Sequence, residues 1–534
     1  MLLGFVWACF AQNTAQSTQT GINQVSTQTQ VGSHLNSTVI QGSGSNTTIN
    51  SYNQSSTNQL GNYHKAIVEQ NYGATYNQAV INQKGEGLST TDGNTAIINQ
   101  TSNSGGSSFR SALPGLGING TGNYGAISQQ GTRNASYINQ QIYSSGNYGS
   151  VSQYGTNNTQ TGITQNKEAF GNSAQIQQGT LSVPVSGNKA SVTQEKESLF
   201  NNGQIIQANN GNAADIRQRS ISLYNTATIR QEGTNSQGII EQSYTSAENK
   251  ASLIQNGNNN KALIEQQSTS GGTGAGNTAE LYQTGNNNLN TSILQNYSSA
   301  NNKANLHQYG NNNNETRISQ LQRSDNNKAT IDMGGDGPNG QYPNGWISVN
   351  GGTAIIEQSI NSYDNKARIG QSGDGHNARI FQHIFVNNSE AYIDQYPAGL
   401  PNTALIRQTN STSSKANIVQ NQNSFGGGNG NNLAEVFQGA YSGGLSSGNI
   451  TSIIQENANN ISRNEQIGTN NLALISQTGN GNTVAGLNAD TIARQIGSDN
   501  KLYVTQNSMG GAGNMAHVSQ IGTGNTAIIN QTSN

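Results

Sequence analysis

The chain has 534 residues and a formal net charge of −2, with 31% hydrophobic and only 9% charged residues, which excludes a conventional apolar core of this size. The near-neutral charge without a basic patch argues against nucleic-acid binding, and the single cysteine, Cys9, excludes a disulfide framework and a cysteine-based metal site. A polar, weakly charged chain with 6 prolines is instead expected to order by stacking its Asn and Gln side chains.

The first eleven residues form the only compact apolar run of the chain. Met1-Leu-Leu-Gly-Phe-Val-Trp-Ala-Cys-Phe-Ala11 is too short to span a bilayer but suits the apolar region of a secretory signal. The small residues Cys9 and Ala11 permit cleavage before Gln12. We therefore predict that residues 1–11 are the remnant of a secretory signal and that the protein is extracellular, without membrane insertion.

The next stretch, residues 12–60, matches the repeat of the later chain poorly and contains only fragments of it, at Gln41 and Gln54. We expect it to be an irregular leader or a set of frayed first coils. Residues 61–534 carry the repeat without a visible boundary, which predicts one continuous domain.

A short internal repeat, Asn-x-Ala-x-Ile-x-Gln, dominates the sequence, and such repeats indicate solenoid architectures. Looser copies replace Ala by Gly or Thr. Clear copies are Asn94–Gln100, Asn212–Gln218, Asn225–Gln231, Asn249–Gln255, Asn260–Gln266, Asn402–Gln408 and Asn525–Gln531.

The spacing of the closing glutamines predicts the architecture. From Gln207 through Gln218 and Gln231 to Gln242, a short step and a slightly longer step alternate along the chain. One structural unit therefore contains two strands and two turns in about 24 residues, which is one coil of a flattened β-solenoid with cross-β stacking. The predicted fold class is all-β.

Side-chain direction in a strand alternates with a period of two, so one set of repeat positions forms the interior. Asn, Ala, Ile and Gln hardly vary among the copies, whereas the intervening positions vary freely. We predict a thin Ala–Ile layer flanked by stacked amides that satisfy each other. The predicted core ladder comprises Asn212, Ala214, Ile216, Gln218, Asn225, Ala227, Ile229, Gln231, Asn249, Ala251, Leu253, Gln255, Asn260, Ala262, Ile264 and Gln266.

The prolines and long gaps agree with this strand assignment, since proline is excluded from paired central strands. Pro114, Pro184, Pro338, Pro343, Pro397 and Pro401 all lie between repeat segments. We predict loop insertions near 102–122 and 334–351, and a Gly-rich bulge at 424–430.

The segment Gln520-Ile-Gly-Thr-Gly-Asn-Thr-Ala-Ile-Ile-Asn-Gln531, with a second match at Gln477–Asn482, resembles the curlin repeat of the bacterial functional amyloids called curli. The resemblance covers most of the chain, which has more coils and more variable turns than the familiar subunit. It implies a secreted amyloid of the biofilm matrix, with an outer-membrane secretion pore and a nucleator or chaperone as partners.

The last repeat is among the most regular, whereas solenoids that stay monomeric end in atypical capping repeats. We expect Asn525, Ala527, Ile529 and Gln531 to form an assembly edge that docks on the N-terminal edge of another copy. The predicted function is a structural subunit that self-assembles head to tail into curli-like extracellular fibres.

Other functional classes find less support in the sequence. The six histidines show no metal-ligand spacing, and no acid pair or phosphate loop stands out, so we predict neither an enzyme nor a cofactor site. Outward tyrosines such as Tyr137, Tyr148 and Tyr282 could stack on glycans. A non-polymerising solenoid adhesin or ligand-binding surface protein is the alternative; the broken row of outward threonines disfavours ice binding.

Overall fold

The computed structural model describes residues 12–42, 52–71, 76–101, 122–141, 144–243, 246–267, 276–296, 299–334, 349–396, 400–420, 430–439, 446–486, 492–508 and 513–533. The chain divides into two compact units, residues 1–248 and 249–534. The sequence pattern showed no boundary at this point. The described residues contain strands and turns but no helix, and each unit is a β-solenoid built from parallel strands.

Unit 1 stacks its strands into two facing sheets, and one strand of each sheet makes one coil. Sheet 1 contains Thr14–Gln19, Asn36–Gln41, Lys65–Asn71, Thr95–Thr101, Ala135–Gln141, Thr161–Asn166, Lys189–Glu195, Ala213–Arg219 and Gln237–Ser243. Sheet 2 contains Val25–Ser33, Gln54–Asn62, Gln78–Glu86, Tyr124–Thr132, Tyr148–Thr156, Ser173–Gln178, Asn202–Gln207 and Thr226–Gln231, with the short strand Val185–Ser186 at its margin.

Unit 2 has the same plan, again with two facing sheets. Sheet 3 contains Lys261–Gln267, Thr291–Asn296, Glu315–Leu321, Thr353–Ser359, Asn377–His383, Thr403–Thr409, Leu433–Gln438, Ile461–Thr469, Thr483–Ala485, Ala493–Ser498, Met515–His517 and Ser519–Thr523. Sheet 4 contains Lys250–Asn256, Thr278–Thr284, Lys303–Tyr309, Lys328–Met333, Lys366–Gln371, Glu390–Gln395, Lys415–Gln420, Ile450–Gln455, Leu472–Gly479, Lys501–Ser508 and Thr526–Ser533. Corner strands of two residues are Ser324–Asp325, Ser362–Tyr363, Ser411–Thr412 and Ser446–Ser447.

Neighbouring coils pair in parallel and in register, so each interior residue stacks on its counterpart. In sheet 2, Ile205 pairs with Ile229 and Gln207 with Gln231. In sheet 4, Ala251 pairs with Ala279 and so continues the column of small residues. This register follows from the repeat, since a slip of one residue would turn the whole buried set toward solvent.

The core of each unit is a thin layer of small and branched side chains. Burial alternates along the strands, as in Lys261–Gln267, where every second residue is buried. Small positions of one sheet face branched residues of the other: a Cβ added to Gly203 would lie 2.8 Å from Val192 Cγ1, and one added to Gly149 3.1 Å from Ile138 Cγ2. This fit leaves no room for large residues at the Ala position and keeps the solenoid flat.

Two turn lengths produce the alternation of short and longer steps between glutamines. A short turn brings Gln153 Nε2 to the carbonyl oxygen of Asn158, five positions later. A long turn brings Gln140 Nε2 to the carbonyl oxygen of Asn147, seven positions later. In unit 2 the coil from Gln455 to Gln477 has two short turns, so these two glutamines are only 22 residues apart.

The short turns need glycine because their backbones stack as closely as the strands do. Gly131 has a φ of +112°, and a Cβ there would lie 2.0 Å from the carbonyl oxygen of Gly155 in the next coil. A side chain is therefore excluded twice, by the backbone conformation and by the neighbouring coil.

The described residues 12–42 and 52–60 carry strands where the sequence suggested an irregular leader or frayed coils. Val25–Ser33 pairs in register with Gln54–Asn62. Their interior holds hydroxyl residues in place of Ala and Ile, and Ser37 Oγ lies 2.7 Å from Thr57 Oγ1. The repeat is hidden in the sequence here because paired hydroxyls replace the apolar signature.

Several further predictions fall partly or wholly outside the described residues. Residues 1–11, most of the two predicted insertions (102–121 and 335–348) and nearly all of the bulge (424–429) lie there. Of the six prolines, Pro184 and Pro401 are described, and both lie outside strands as predicted.

Candidate functional site

The closing glutamines of the repeats form amide ladders inside each unit, and the ladder of sheet 4 is interrupted where Met333 stands between Gln308 and Gln371. In sheet 2, Gln207 Oε1 accepts a hydrogen bond from Gln178 Nε2 at 2.8 Å, and Gln207 Nε2 donates to Gln231 Oε1 at 2.9 Å. In sheet 3, Gln266 donates to Gln295 and Gln295 to Gln320, both at 2.8 Å. The glutamine Nε2 donates toward the coil that follows in the chain in each of these bonds, so the ladders have a direction.

The same amides also tie the two sheets of a coil together. The second Nε2 proton of Gln218 lies near the carbonyl oxygens of Asn202 and Asn225, at 3.2 and 3.1 Å, which stand at the starts of two successive strands of the opposite sheet. Gln218 thus uses its donors and its acceptor, as a buried amide requires, whereas Gln371 Oε1, which follows Met333 in its column, has no partner among the described residues.

The repeat asparagines form a second ladder of a different kind. Asn201 Oδ1 accepts from the backbone N–H of Asn225 at 2.8 Å, while Asn225 Nδ2 donates to Ser222 Oγ at 2.8 Å. The sequence predicted bonds between equivalent side chains, which holds for Gln. For Asn the partners are mainly backbone and serine groups, so Asn secures the turn rather than a continuous amide stack.

The predicted core ladder lies in the interior of both units. All of its residues are at most 6% exposed. Unit 1 buries Asn212, Ala214, Ile216, Gln218, Asn225, Ala227, Ile229 and Gln231. Unit 2 buries Asn249, Ala251, Leu253, Gln255, Asn260, Ala262, Ile264 and Gln266.

The first coil of unit 1 presents an open strand edge within the described chain. Thr14–Gln19 is exposed throughout and pairs on one side only, with Asn36–Gln41. Gln19 Nε2 donates to Gln41 Oε1 at 2.7 Å, and no described residue donates to Gln19 Oε1. This edge therefore offers amide oxygens.

The last coil of unit 2 presents the complementary groups. Among the described strands, Thr526–Ser533 pairs with Lys501–Ser508 alone. Gln531 Oε1 accepts from Gln506 at 2.7 Å, and the only described acceptor of Gln531 Nε2 is the carbonyl oxygen of Met515. One proton of this amide has no partner among the described residues, so the edge offers amide donors. The predicted assembly edge, Asn525, Ala527, Ile529 and Gln531, is exposed or half-buried.

These two coils share one internal geometry. In the first, the short step separates Gln19 from Gln30, and the turn between them contains Gly21 with a φ of +133°. In the last, the same short step separates Gln520 from Gln531, and Gly522 occupies the same turn position with a φ of +112°. Each coil is thus a possible continuation of the other's stacking pattern.

The interior of the first coil is more polar than that of the last. Gln28 occupies the column continued by Thr57 and Ile81, whereas Ile529 occupies the equivalent column in the last coil. Ser26 Oγ and Gln28 Oε1 have no hydrogen-bond partner among the described residues. The interior of the first coil consequently offers less apolar surface to a neighbouring strand than the interior of the last coil does.

A serine column at the long turns escaped the sequence reasoning. Ser198, Ser222, Ser324 and Ser362 are fully buried, each three residues before a repeat asparagine whose Nδ2 donates to it at 2.7–2.8 Å. The pattern Ser-x-x-Asn was visible in the sequence and could have located this corner.

Two histidines, His64 and His376, occupy Asn positions of the repeat. His376 Nδ1 accepts from the backbone N–H of Asn402 at 3.0 Å, and its Nε2 donates to the carbonyl oxygen of Ser372 at 3.1 Å. His64 Nδ1 accepts likewise from Asn94 at 3.2 Å. Burial lowers the pKa of His64, and burial lowers the pKa of His376 to about 4.

Outward charges pair between neighbouring coils. Glu390 lies between Lys366 and Lys415 in one register column, at 3.1 and 3.3 Å. Arg494 similarly reaches Glu465 at 2.9 Å. The column of Glu390 also stacks three lysines directly on one another, Lys303, Lys328 and Lys366. Opposite charges therefore offset repulsion at some positions of the outer face but do not alternate throughout it.

No family model matches the chain, and no curated protein matches it. The curlin resemblance therefore stays a prediction from the repeat. Within the described ranges, no three His, Cys, Asp or Glu side chains are grouped so that they could hold a metal ion. The same residues include no helix with the length and apolar character needed to cross a membrane.

The glutamine ladder predicts that a buried carboxylate is far more harmful than an exposed one. In Gln178→Glu, the new carboxylate loses the donor to Gln207 Oε1 and faces that oxygen across a 2.8 Å contact. We expect a loss of about 3 kcal/mol or more in unfolding free energy, measured by urea titration. Gln175→Glu is the matched control in the same strand, because Gln175 is exposed. Equal effects of both substitutions would contradict the ladder.

The buried His376 predicts an acid-sensitive fold. Because its native pKa of about 4 lies below the unfolded value near 6.5, stability is complete above pH 6.5 and falls as the pH drops toward 4. His376→Asn restores the usual residue and should reduce the loss of stability between pH 7 and pH 4.5 by about 2 kcal/mol. Urea unfolding at both pH values measures this, with the exposed His34→Asn as control. An unchanged pH dependence in His376→Asn would refute the assignment.

Proposed function

We propose that this protein is a structural subunit that assembles end to end into an extracellular cross-β fibre. The observation that carries the proposal is the match between the first coil of unit 1 and the last coil of unit 2. They have the same short step between glutamines, the same turn glycine and opposite amide groups on their open edges. Extracellular location and a role in a biofilm matrix are proposed from the apolar N-terminus and the curlin-like repeat.

Joining two copies would extend every feature of the stack. Gln531 Nε2 of one copy would donate to Gln30 Oε1 of the next, and Gln520 Nε2 to Gln19 Oε1. The backbone N–H groups of Asn13 and Gln24 would meet Asn514 Oδ1 and Asn525 Oδ1, as in the asparagine ladder. A contact between two different edges does not close on itself, so it generates a fibre rather than a dimer.

The open edges also explain why assembly would be favourable. Unpaired strand edges template further strands, and the amide ladder gains one bond per glutamine at each joint. The outward faces carry charged side chains such as Lys366, Glu390 and Lys415, which disfavour lateral clumping and so favour growth at the ends. A secretion pore and a nucleator or chaperone belong to the proposal only through the resemblance to curli.

The proposal is tested by negative-stain electron microscopy and fibre X-ray diffraction of purified residues 12–534 at neutral pH. We expect unbranched fibres with a meridional reflection near 4.8 Å. Particles that stay single at every concentration would overturn self-assembly and leave a solenoid adhesin as the better interpretation.

A charge placed inside the joint should block it. Gln28→Lys would put an ammonium group against Ile529 of the copy whose last coil faces this edge. Neither water nor a counter-charge would be available to the ammonium group there. We expect the critical concentration for fibre formation to rise at least about tenfold, since one unpaired charge costs more than about 1.4 kcal/mol.

Thr27→Lys is the control, because Thr27 precedes Gln28 in the same strand but points outward and is exposed. Circular dichroism checks that both variants keep the fold. If both variants assemble like the unmodified chain, the N-terminal edge is not the joint. If both fail equally, general surface charge rather than the joint controls assembly.

A further inference from the structure

The outward face of sheet 4 contains a depression of about 340 Å³. It lies across the strands Lys250–Asn256, Thr278–Thr284 and Lys303–Tyr309, all within unit 2. Its lining consists of Ser252, Ile254, Glu280, Leu281, Tyr282, His307 and Tyr309. Ser252 pairs in register with Glu280. Because the Ser252 side chain is small, the outer face of the sheet is recessed at this point beside the large aromatic side chains.

The aromatic rings of this depression are tilted rather than stacked. Tyr124 and Tyr148 of unit 1 stack at 5.1 Å with their planes 1° apart, so each covers a face of the other. Tyr282 and Tyr309 lie 5.6 Å apart but are tilted by 53°, and His307 stands edge-on to Tyr282 at 87°. Rings at these angles form walls of the depression, and no described ring stacks in parallel on Tyr282.

Hydrogen bonds hold two of these rings in place. Asn256 Nδ2 donates to the hydroxyl of Tyr282 at 2.9 Å. His307 Nδ1 lies 3.0 Å from Asp332 Oδ1, so Nε2 is the ring nitrogen that Asp332 does not engage. The bond to Asp332 raises the pKa of His307, so both ring nitrogens act as donors over a wider pH range.

A carboxylate completes the polar lining. Glu280 is exposed, and no described residue forms an ion pair with it. Most other outward carboxylates of the neighbouring strands are paired, as Asp332 is with His307. Glu280 is therefore an available acceptor beside two aromatic faces, with the hydroxyl of Ser252 on the adjacent coil.

We propose that this depression binds a neutral sugar ring of a glycan. The C–H face of a pyranose would pack on Tyr282, its hydroxyls would donate to Glu280, and His307 Nε2 would donate to a ring or hydroxyl oxygen. An anionic sugar is disfavoured by Glu280, and an apolar ligand would leave the carboxylate without hydrogen bonds. The site lies on an outward face, so the inference does not depend on fibre assembly.

The test is equilibrium binding of fluorescently labelled neutral hexasaccharides of glucose, mannose, galactose and N-acetylglucosamine to the full chain. We expect at least one to bind, and Tyr282→Ala to weaken that binding about tenfold. Tyr148→Ala is the matched control, because Tyr148 is also an outward tyrosine of a strand but belongs to a stacked pair. Circular dichroism verifies the fold of each variant.

Glu280→Gln provides a second variant that does not disturb packing, since Glu280 is exposed. A uronic acid hexasaccharide should bind the unmodified chain more weakly than the neutral probe, and Glu280→Gln should reduce this difference. Absence of binding by every neutral probe at millimolar concentration would overturn the proposal. So would an equal loss of binding in Tyr282→Ala and Tyr148→Ala.

Discussion

The whole structure depends on in-register stacking, in which every residue must tolerate its own counterpart in the coils above and below. Few side chains satisfy this condition inside a protein. An amide does so because it carries a donor and an acceptor, as in the bond from Gln194 to Gln218 at 2.8 Å. Branched apolar residues do so by packing, and glycine does so by leaving room for a neighbouring backbone. Identical charges repel each other, which agrees with the small share of charged residues, 9%, and with ion pairs between coils such as that of Lys366 with Glu390.

The ladders also give each unit a chemical direction. Because the Gln Nε2 atoms donate toward the following coil, an edge on one side exposes oxygens and an edge on the other exposes protons. Two edges of the same kind would oppose like groups, whereas unlike edges continue the bonding pattern. The direction of the ladder thus favours a head-to-tail contact over a symmetric one, independently of the shape of the coils.

The repeat positions explain how much of this was predictable from the sequence. Ala262, Ile264 and Gln266 could be assigned to the interior because period-two alternation and invariance coincide there. The alternating short and longer steps between glutamines determined the coil length, since they reflect two turn lengths. The apolar pattern could not reveal coils whose interior carries Ser37 and Thr57, because a hydroxyl pair satisfies the same space by hydrogen bonding.

The candidate sites differ in predictability for the same reason. The assembly edge follows from the repeat, so its last member, Gln531, could be named from the sequence. The depression beside Tyr282 depends on outward residues from three coils, and the repeat leaves these positions free to vary. The angles between their aromatic rings are determined only by the fold.

The polar interior of the first coil would matter for the proposed end-to-end contact. A strand edge with an apolar interior attracts any extended chain, whereas Ser17, Ser26 and Gln28 reduce the apolar area that such a chain could cover. Exposed branched side chains do not distinguish the two end coils, since Val31 of the first coil is 56% exposed and Ile521 of the last coil is 72% exposed. Specific pairing would therefore depend on the glutamine and asparagine ladders, which require a partner in the correct register.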